Sequence, residues 1–406
     1  MPPSRPPRSQ PLEANILLTA TFCLLAAGAV MVYSASSART LLQGRNDAGF
    51  LVRYLIFGGV GLVLMHLISR HGLAKVARLT VPLLAVAIAL QLLVLVPGIG
   101  VEVNGSRRWI GRGALRFQPS ELLKIALLLY VVKTLATRPK IVRDPRLLVP
   151  MAMVCGFACA LVAAKDIGTA LVIAMVLSAV LVAAGMPLRY LFVMAGAGGA
   201  LILLMAVVEP YRMQRLTSFL NPWADAQNSG HQAVQGQIAL GSGGFFGRGI
   251  GHGIQKINYL PEAHTDFILA VIGEEVGVAG ITVVLFLYGL IAYAGLRVAQ
   301  GARGAYGKLL ATGITSMILC QALLNVFTVL GMAPVTGVPL PFISYGSTNL
   351  MVLLASMGLL LSIAQGGVAH VRSVPGSRAD DTSADRSRRD SRPRGARAGG
   401  RRRAAG

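Results

Sequence analysis

Ten apolar runs, each about long enough to cross a bilayer, dominate this chain and exclude an ordinary soluble fold. They cover approximately residues 15–35, 51–69, 79–97, 120–137, 147–164, 167–185, 188–208, 266–297, 308–330 and 348–366. A spanning helix takes about 20 largely apolar residues. Of the 406 residues, 54% are hydrophobic and 13% charged, too little charge to coat a soluble surface of this size. The expected fold class is all-α: a polytopic integral membrane protein of about ten transmembrane helices. The fourth run, opening "QPSELLKIALLLYVVK", is the least hydrophobic, so spacing partly supports it. The fifth and sixth are parted only by "AKDIG" and should form a tight hairpin.

Short basic loops set the orientation. Arg70, Lys75 and Arg78 follow the second run, Arg138, Lys140, Arg143 and Arg146 the fourth, Arg189 the sixth, and Arg297, Arg303 and Lys308 the eighth. The positive-inside rule puts these segments and both termini in the cytoplasm. The outward face then carries two long loops, 98–119 and 209–265, the second a large loop between helices 7 and 8, and a shorter one at 331–347. Loops this long in a compact bundle are usually functional. The outward loops are basic too, so the rule holds only because long loops count less.

The expected domain organisation is a cytoplasmic N-terminal tail (1–14), a ten-helix transmembrane domain (15–365) and a disordered basic cytoplasmic tail (366–406). The N-terminal segment shows no clear small-residue cleavage site, which makes the first helix a retained one. The net charge of +22 resembles a nucleic-acid signature, but eleven of the 38 Lys and Arg lie after residue 365. A low-complexity Arg-rich tail beside a membrane binds anionic lipid headgroups most simply, so no nucleic acid is expected. The four cysteines fall inside apolar runs and are expected to pack there.

The stretch "NYLPEAHTDFILAVIGEEVG", residues 258–277, crowds Glu262, His264, Thr265 and Asp266 at the mouth of the eighth run. A single N-terminal helix acid, favoured by the macrodipole, would account for one of them but not for the cluster. Partial desolvation of a carboxylate favours its protonated form, the direction a general base working near neutral pH needs. If one helix continued from Asp266, Glu274 would lie about 12 Å along it and on another face, with Glu275 opposite. Both glutamates, with Glu121, then serve as polar pins between helices, and Lys124 is a natural partner for one of them. The glycines between Gly241 and Gly253, near Arg and Lys, could cradle phosphate or merely permit tight turns. No metal-ligand signature of firm spacing is present, so no cofactor is expected to be required and any metal is unknown; a loosely held Mg2+ or Mn2+ shared with substrate phosphates is the one alternative left open. The last outward loop, "GMAPVTGVPLPFISYGSTN", which includes Ser344, should form a re-entrant wall of the same cavity.

"NGSRRWI", "QPSELLKIALLLY", "RLTSFLNPWAD", "GGFFGRGIGHGIQKINYLPEAHTDFILAVIGEEVG" and "PVTGVPLPFISYGST", in this order, resemble the SEDS (shape, elongation, division and sporulation) family over residues 15–365. "LPEAHTDFI" is nearer its division (FtsW-like) branch than its elongation (RodA-like) branch. The resemblance implies a peptidoglycan glycosyltransferase that polymerises lipid II on the outer face of the cytoplasmic (inner) membrane. It further implies a class B penicillin-binding protein transpeptidase as partner, with other divisome membrane proteins, at the septum. It places the essential acid on Asp266 and substrate-binding groups on Arg108, Lys124, Arg215 and Lys256; the residues themselves add Glu262, His264, Thr265 and Ser344 as expected substrate contacts. The chain departs from the family pattern at Lys165, Ser347 and Asn258. A lipid II flippase or other lipid transporter, and a non-catalytic divisome scaffold, are the rival functions; the absence of an evident internal repeat weighs against the transporter.

Overall fold

The computed structural model describes residues 11–366 apart from 43–48, 104–105, 112, 114–115, 143, 209–217, 229, 259 and 261–262. Arg215, Glu262 and almost all of both expected tails lie outside the described residues. The elements in chain order are α1 (Leu12–Leu42), α2 (Gly49–Leu95), β1 (Gly100–Val103), β2 (Ser106–Ile110), α3 (Pro119–Thr137), α4 (Pro145–Ala163), α5 (Ile167–Ala183), α6 (Leu188–Val208), α7 (His231–Ser242), α8 (Gln255–Asn258), α9 (Ile268–Glu275), α10 (Gly277–Gly301), α11 (Gly304–Val329) and α12 (Ser347–Ala364). Helix lies at all ten expected positions. Among the described residues, seven segments are long and apolar enough to cross a membrane. The other three are the 17-residue α5, α6, and α3, which carries Glu121, Lys124 and Lys133.

Two expected boundaries need correction. Residues 70–78, expected as a loop, are helical throughout α2. A straight helix of this length would hold its ends about 70 Å apart. Yet Tyr54, near its start, donates to the Phe342 carbonyl, while the strands that follow its end reach the same face of the bundle through Arg108 and Asp166. The chain therefore turns back between its two spans, Gly49–Arg70 and Leu73–Leu95. The second correction concerns the eighth run, which is not one helix: α9 stops at Glu275 and α10 starts at Gly277, whose φ of +75° interrupts the helical path.

The bundle is layered by polarity in the manner of a membrane protein. On the first span of α2, Leu55, Ile56 and Val63 are all more than half exposed, a lipid-facing surface. In α11 and α12, 72% and 78% of the span is buried, which makes them central. α3 is central as well, and its charges are hidden among neighbours: Lys124 donates to Glu121 and to Gln321, each at 2.8 Å. That interior position explains how the least hydrophobic run can cross the bundle without presenting ions to lipid.

Residues 338–344 enter the bundle with almost no exposure and no regular structure. Buried irregular backbone must find hydrogen-bond partners inside the protein. Tyr54 serves the Phe342 carbonyl and Tyr288, about three turns into α10, serves that of Pro341. Gln321 donates to Pro339 and Asn325 to Val338, both from α11. The expected re-entrant wall is present, and these four side chains hold it.

Candidate active site

Asp266 sits in a turn just before α9 and is 7% exposed. The cap position of α9 is Phe267, whose own side chain makes no capping hydrogen bond. Thr265 Oγ1 lies 3.1 Å from Asp266 Oδ1. The Asp266 carbonyl accepts from Asn325 Nδ2 at 2.7 Å, and the same amide nitrogen holds Val338 of the re-entrant segment at 2.8 Å. One buried amide thereby fixes the acid against the wall.

Arg108 projects from β2 toward the same spot. A Cβ at Gly337 would lie 3.9 Å from both Arg108 Nη1 and Asp266 Oδ2, so the two charged groups are at most twice that distance apart. Arg108 also stands 3.7 Å from Asp166 Oδ1 and remains 27% exposed. Asp166 opens α5: Oδ1 accepts from the Thr169 amide, and Oδ2 from Thr169 Oγ1 and Gln118 Nε2. The hairpin turn "AKDIG", the β1–β2 ribbon, the re-entrant segment and the Asp266 turn therefore meet at one face. A partly exposed guanidinium between two buried carboxylates can meet an anionic oxygen while an acid beside it accepts a proton.

The other expected site residues divide. His264 is half-buried, its ring 4.5 Å from Phe50 and 5.7 Å from Tyr345 between centroids, and its carbonyl accepts from the Tyr345 amide. Thr265 touches Asp266. Ser344 Oγ accepts from the Leu340 amide inside the re-entrant turn, and 2% of the residue is exposed. Lys124 does not reach Glu274 or Glu275; its ammonium is committed to Glu121 and Gln321. Through Gln321, which also donates to Asn349, it braces the re-entrant segment.

Lys256, expected to meet substrate, lies deep in the bundle. Its ammonium is buried and bound to Glu275 Oε1 at 2.5 Å, Ser34 Oγ at 2.9 Å and the Gly251 carbonyl at 3.0 Å. An ammonium enclosed in this way ties α1, α8 and α9 together. Glu274 pins the same loop by accepting from the amides of Ile254 and Gln255. The glycines are explained by the same junction. The amides of Arg248 and Gly249 donate to the carbonyls of Glu274 and Glu275, while those of Val278 and Ala279 donate to Gly244 and Phe245. A Cβ at Gly247 would fall 2.2 Å from the Glu275 oxygen. The Gly-rich loop closes the α9–α10 break instead of offering its amides to phosphate.

Sequence reasoning missed Asp166 and Asn325. Asp166 had a readable signal, an acid in a five-residue turn on the outward face. Asn325 had a weaker one, an amide near the outer end of the ninth run. Among the described residues no group of three His, Cys, Asp or Glu side chains could hold a metal ion.

Known proteins agree with this architecture. The FtsW/RodA/SpoVE family model, described as cell cycle protein, matches residues 15–367. Stage V sporulation protein E of Bacillus subtilis (strain 168) is 37% identical over 86% of this chain and 96% of its own length. A protein named probable peptidoglycan glycosyltransferase FtsW from Geobacter sp. (strain M18) is 40% identical over 86% of this chain and 95% of its own. A solved structure, described as showing structural coordination of polymerization and crosslinking by a peptidoglycan synthase complex, superposes with a TM-score of 0.71 at 31% identity. It covers 86% of this chain and 96% of that one. The crystal structure of the Thermus thermophilus rod shape determining protein RodA gives 0.63 at 29% identity, covering 86% and 95%. By sequence and by fold, this chain belongs to the FtsW/RodA/SpoVE family of cell cycle proteins.

Proposed function

We infer that this multi-pass membrane protein is a peptidoglycan glycosyltransferase that polymerises lipid II into β-1,4-linked glycan strands for septal wall synthesis. The observation that carries this is the convergence of the Asp266 carboxylate and the Arg108 guanidinium beside Gly337, in a chain whose family relatives bear that activity in their names. Asp266 removes the proton from the 4-hydroxyl of the acceptor GlcNAc. The freed oxygen attacks C1 of the donor MurNAc, the C1–O bond to phosphate breaks, and undecaprenyl pyrophosphate leaves with the electron pair. Attack opposite an α-linked leaving group inverts the anomeric centre to β. Arg108, steadied by Asp166, offsets the charge that builds on the departing pyrophosphate. Lys256 takes no part in this step, and Lys124 acts as a positioning residue. The described side chains do not make a protein-only metal site; a Mg2+ or Mn2+ would arrive with the substrate phosphates, and no step is routed through it.

The active face is outward, both termini are cytoplasmic, and the basic C-terminal tail engages anionic lipid. A class B penicillin-binding protein is the partner that crosslinks the strands, within a divisome of other membrane proteins. The test is polymerisation of lipid II by the purified protein with its transpeptidase, wild type against Asp266→Asn, with moenomycin present to silence unrelated glycosyltransferases. Strands from wild type and none from an intact variant complex support the assignment. Equal polymer from both removes Asp266 from the chemistry; none from either, with lipid II bound, turns the reading to a flippase or scaffold.

A further inference from the structure

A cavity of about 700 Å³ opens at the end of the bundle opposite Asp266. It lies where the start of α1, the turn of α2, the start of α11 and the end of α12 meet. Arg70 and Arg303, both exposed, are its charged walls, with His66 beside them, and among the described residues no carboxylate lines it. Leu18, Met65 and Leu361 supply an apolar wall running into the bundle, and Ser69 and Gln365 add polar edges. Neither arginine forms an ion pair with any described carboxylate.

From this juxtaposition we propose that the cavity binds the phosphodiester headgroup of an anionic phospholipid. Arg70 and Arg303 clamp the phosphate, and an acyl chain lies along Leu18, Met65 and Leu361. Two guanidiniums at a membrane boundary need counter-charge, and a phosphodiester supplies it in a geometry that arginine matches through paired donors. The apolar wall distinguishes a lipid from a free anion, since inorganic phosphate would leave that wall in contact with water. None of the residues that line the cavity belongs to the Asp266 site. With the orientation proposed above, the lipid belongs to the cytoplasmic leaflet.

The proposal is tested on the full chain in detergent by native mass spectrometry, with added phosphatidylglycerol, phosphatidylethanolamine or inorganic phosphate. Detergent abolishes leaflets, so a wrong orientation does not affect the result. The most tightly retained phosphatidylglycerol should survive on the wild type and weaken roughly 30-fold in Arg70→Gln/Arg303→Gln, from two cations acting at the surface, while lipid held by the tail is the same on both. Arg297→Gln, an exposed cation at the same end that does not line the cavity, should leave them unchanged. If the double variant misfolds, Leu361→Trp, which fills the apolar wall, should weaken the lipid adduct instead. Equal adducts on wild type and variant, or equal retention of phosphatidylethanolamine, would overturn the proposal. Displacement of the lipid by inorganic phosphate at comparable concentration would overturn it in favour of a free-anion site.

Discussion

Replacing Lys256 by Met should strand Glu275 in the protein interior with only Ser34 as donor. The side chains of the pair are 1% and 0% exposed, so neither can turn to water. Breaking a buried ion pair from one side costs about 3–5 kcal/mol, because the remaining charge keeps its desolvation penalty and loses its partner. Glu275→Gln should cost about as much, leaving the buried ammonium with only neutral acceptors, Ser34 and the Gly251 carbonyl among them. Removing both charges together relieves both penalties, so Lys256→Met/Glu275→Gln should fall short of the summed single effects by at least about 2 kcal/mol. The assay is a double-mutant cycle by SDS titration of the purified protein in mixed micelles, with lipid II polymerisation measured on each variant. Additivity within about 0.5 kcal/mol would refute the buried pair. A double variant that regains stability but makes no glycan would refute the pin in another way, by returning Lys256 to the substrate.

Three further outcomes are expected. Asn325→Leu orphans the buried carbonyls of Asp266 and Val338 at a cost of about 1–3 kcal/mol each, and polymerisation should fall more than lipid II binding, measured side by side. Gly247→Val forces a side chain into the Glu275 carbonyl at a positive-φ position, so hydrogen exchange at the α9–α10 junction should rise sharply while the α11–α12 core stays protected. Addition of EDTA should lower the polymerisation rate and Mn2+ or Mg2+ should restore it, if a cation rides on the substrate phosphates; a rate indifferent to chelation removes the cation from the reaction.

The sequence by itself determined the ten apolar segments, because spanning length is a property of contiguous residues and needs no knowledge of neighbours. It also marked the acid cluster around Asp266, since carboxylates at the mouth of an apolar run stand out, whereas Arg108 was singled out by the family resemblance alone. What it could not determine was who meets whom. Lys124 had three plausible acid partners, one three residues away on its own helix and two far along the chain, and only packing chose Glu121. Lys256 looked like a free loop cation until the fold enclosed it with Glu275 and Ser34. The break after Glu275 was hidden because a single glycine inside an apolar run is compatible with helix; the loop that satisfies the broken ends comes from some thirty residues earlier. Asp166 joins the site across about a hundred residues for the same reason. Hydropathy is local and hydrogen-bond partnership is not, so the membrane path was legible in the chain while the active constellation was decided by tertiary structure.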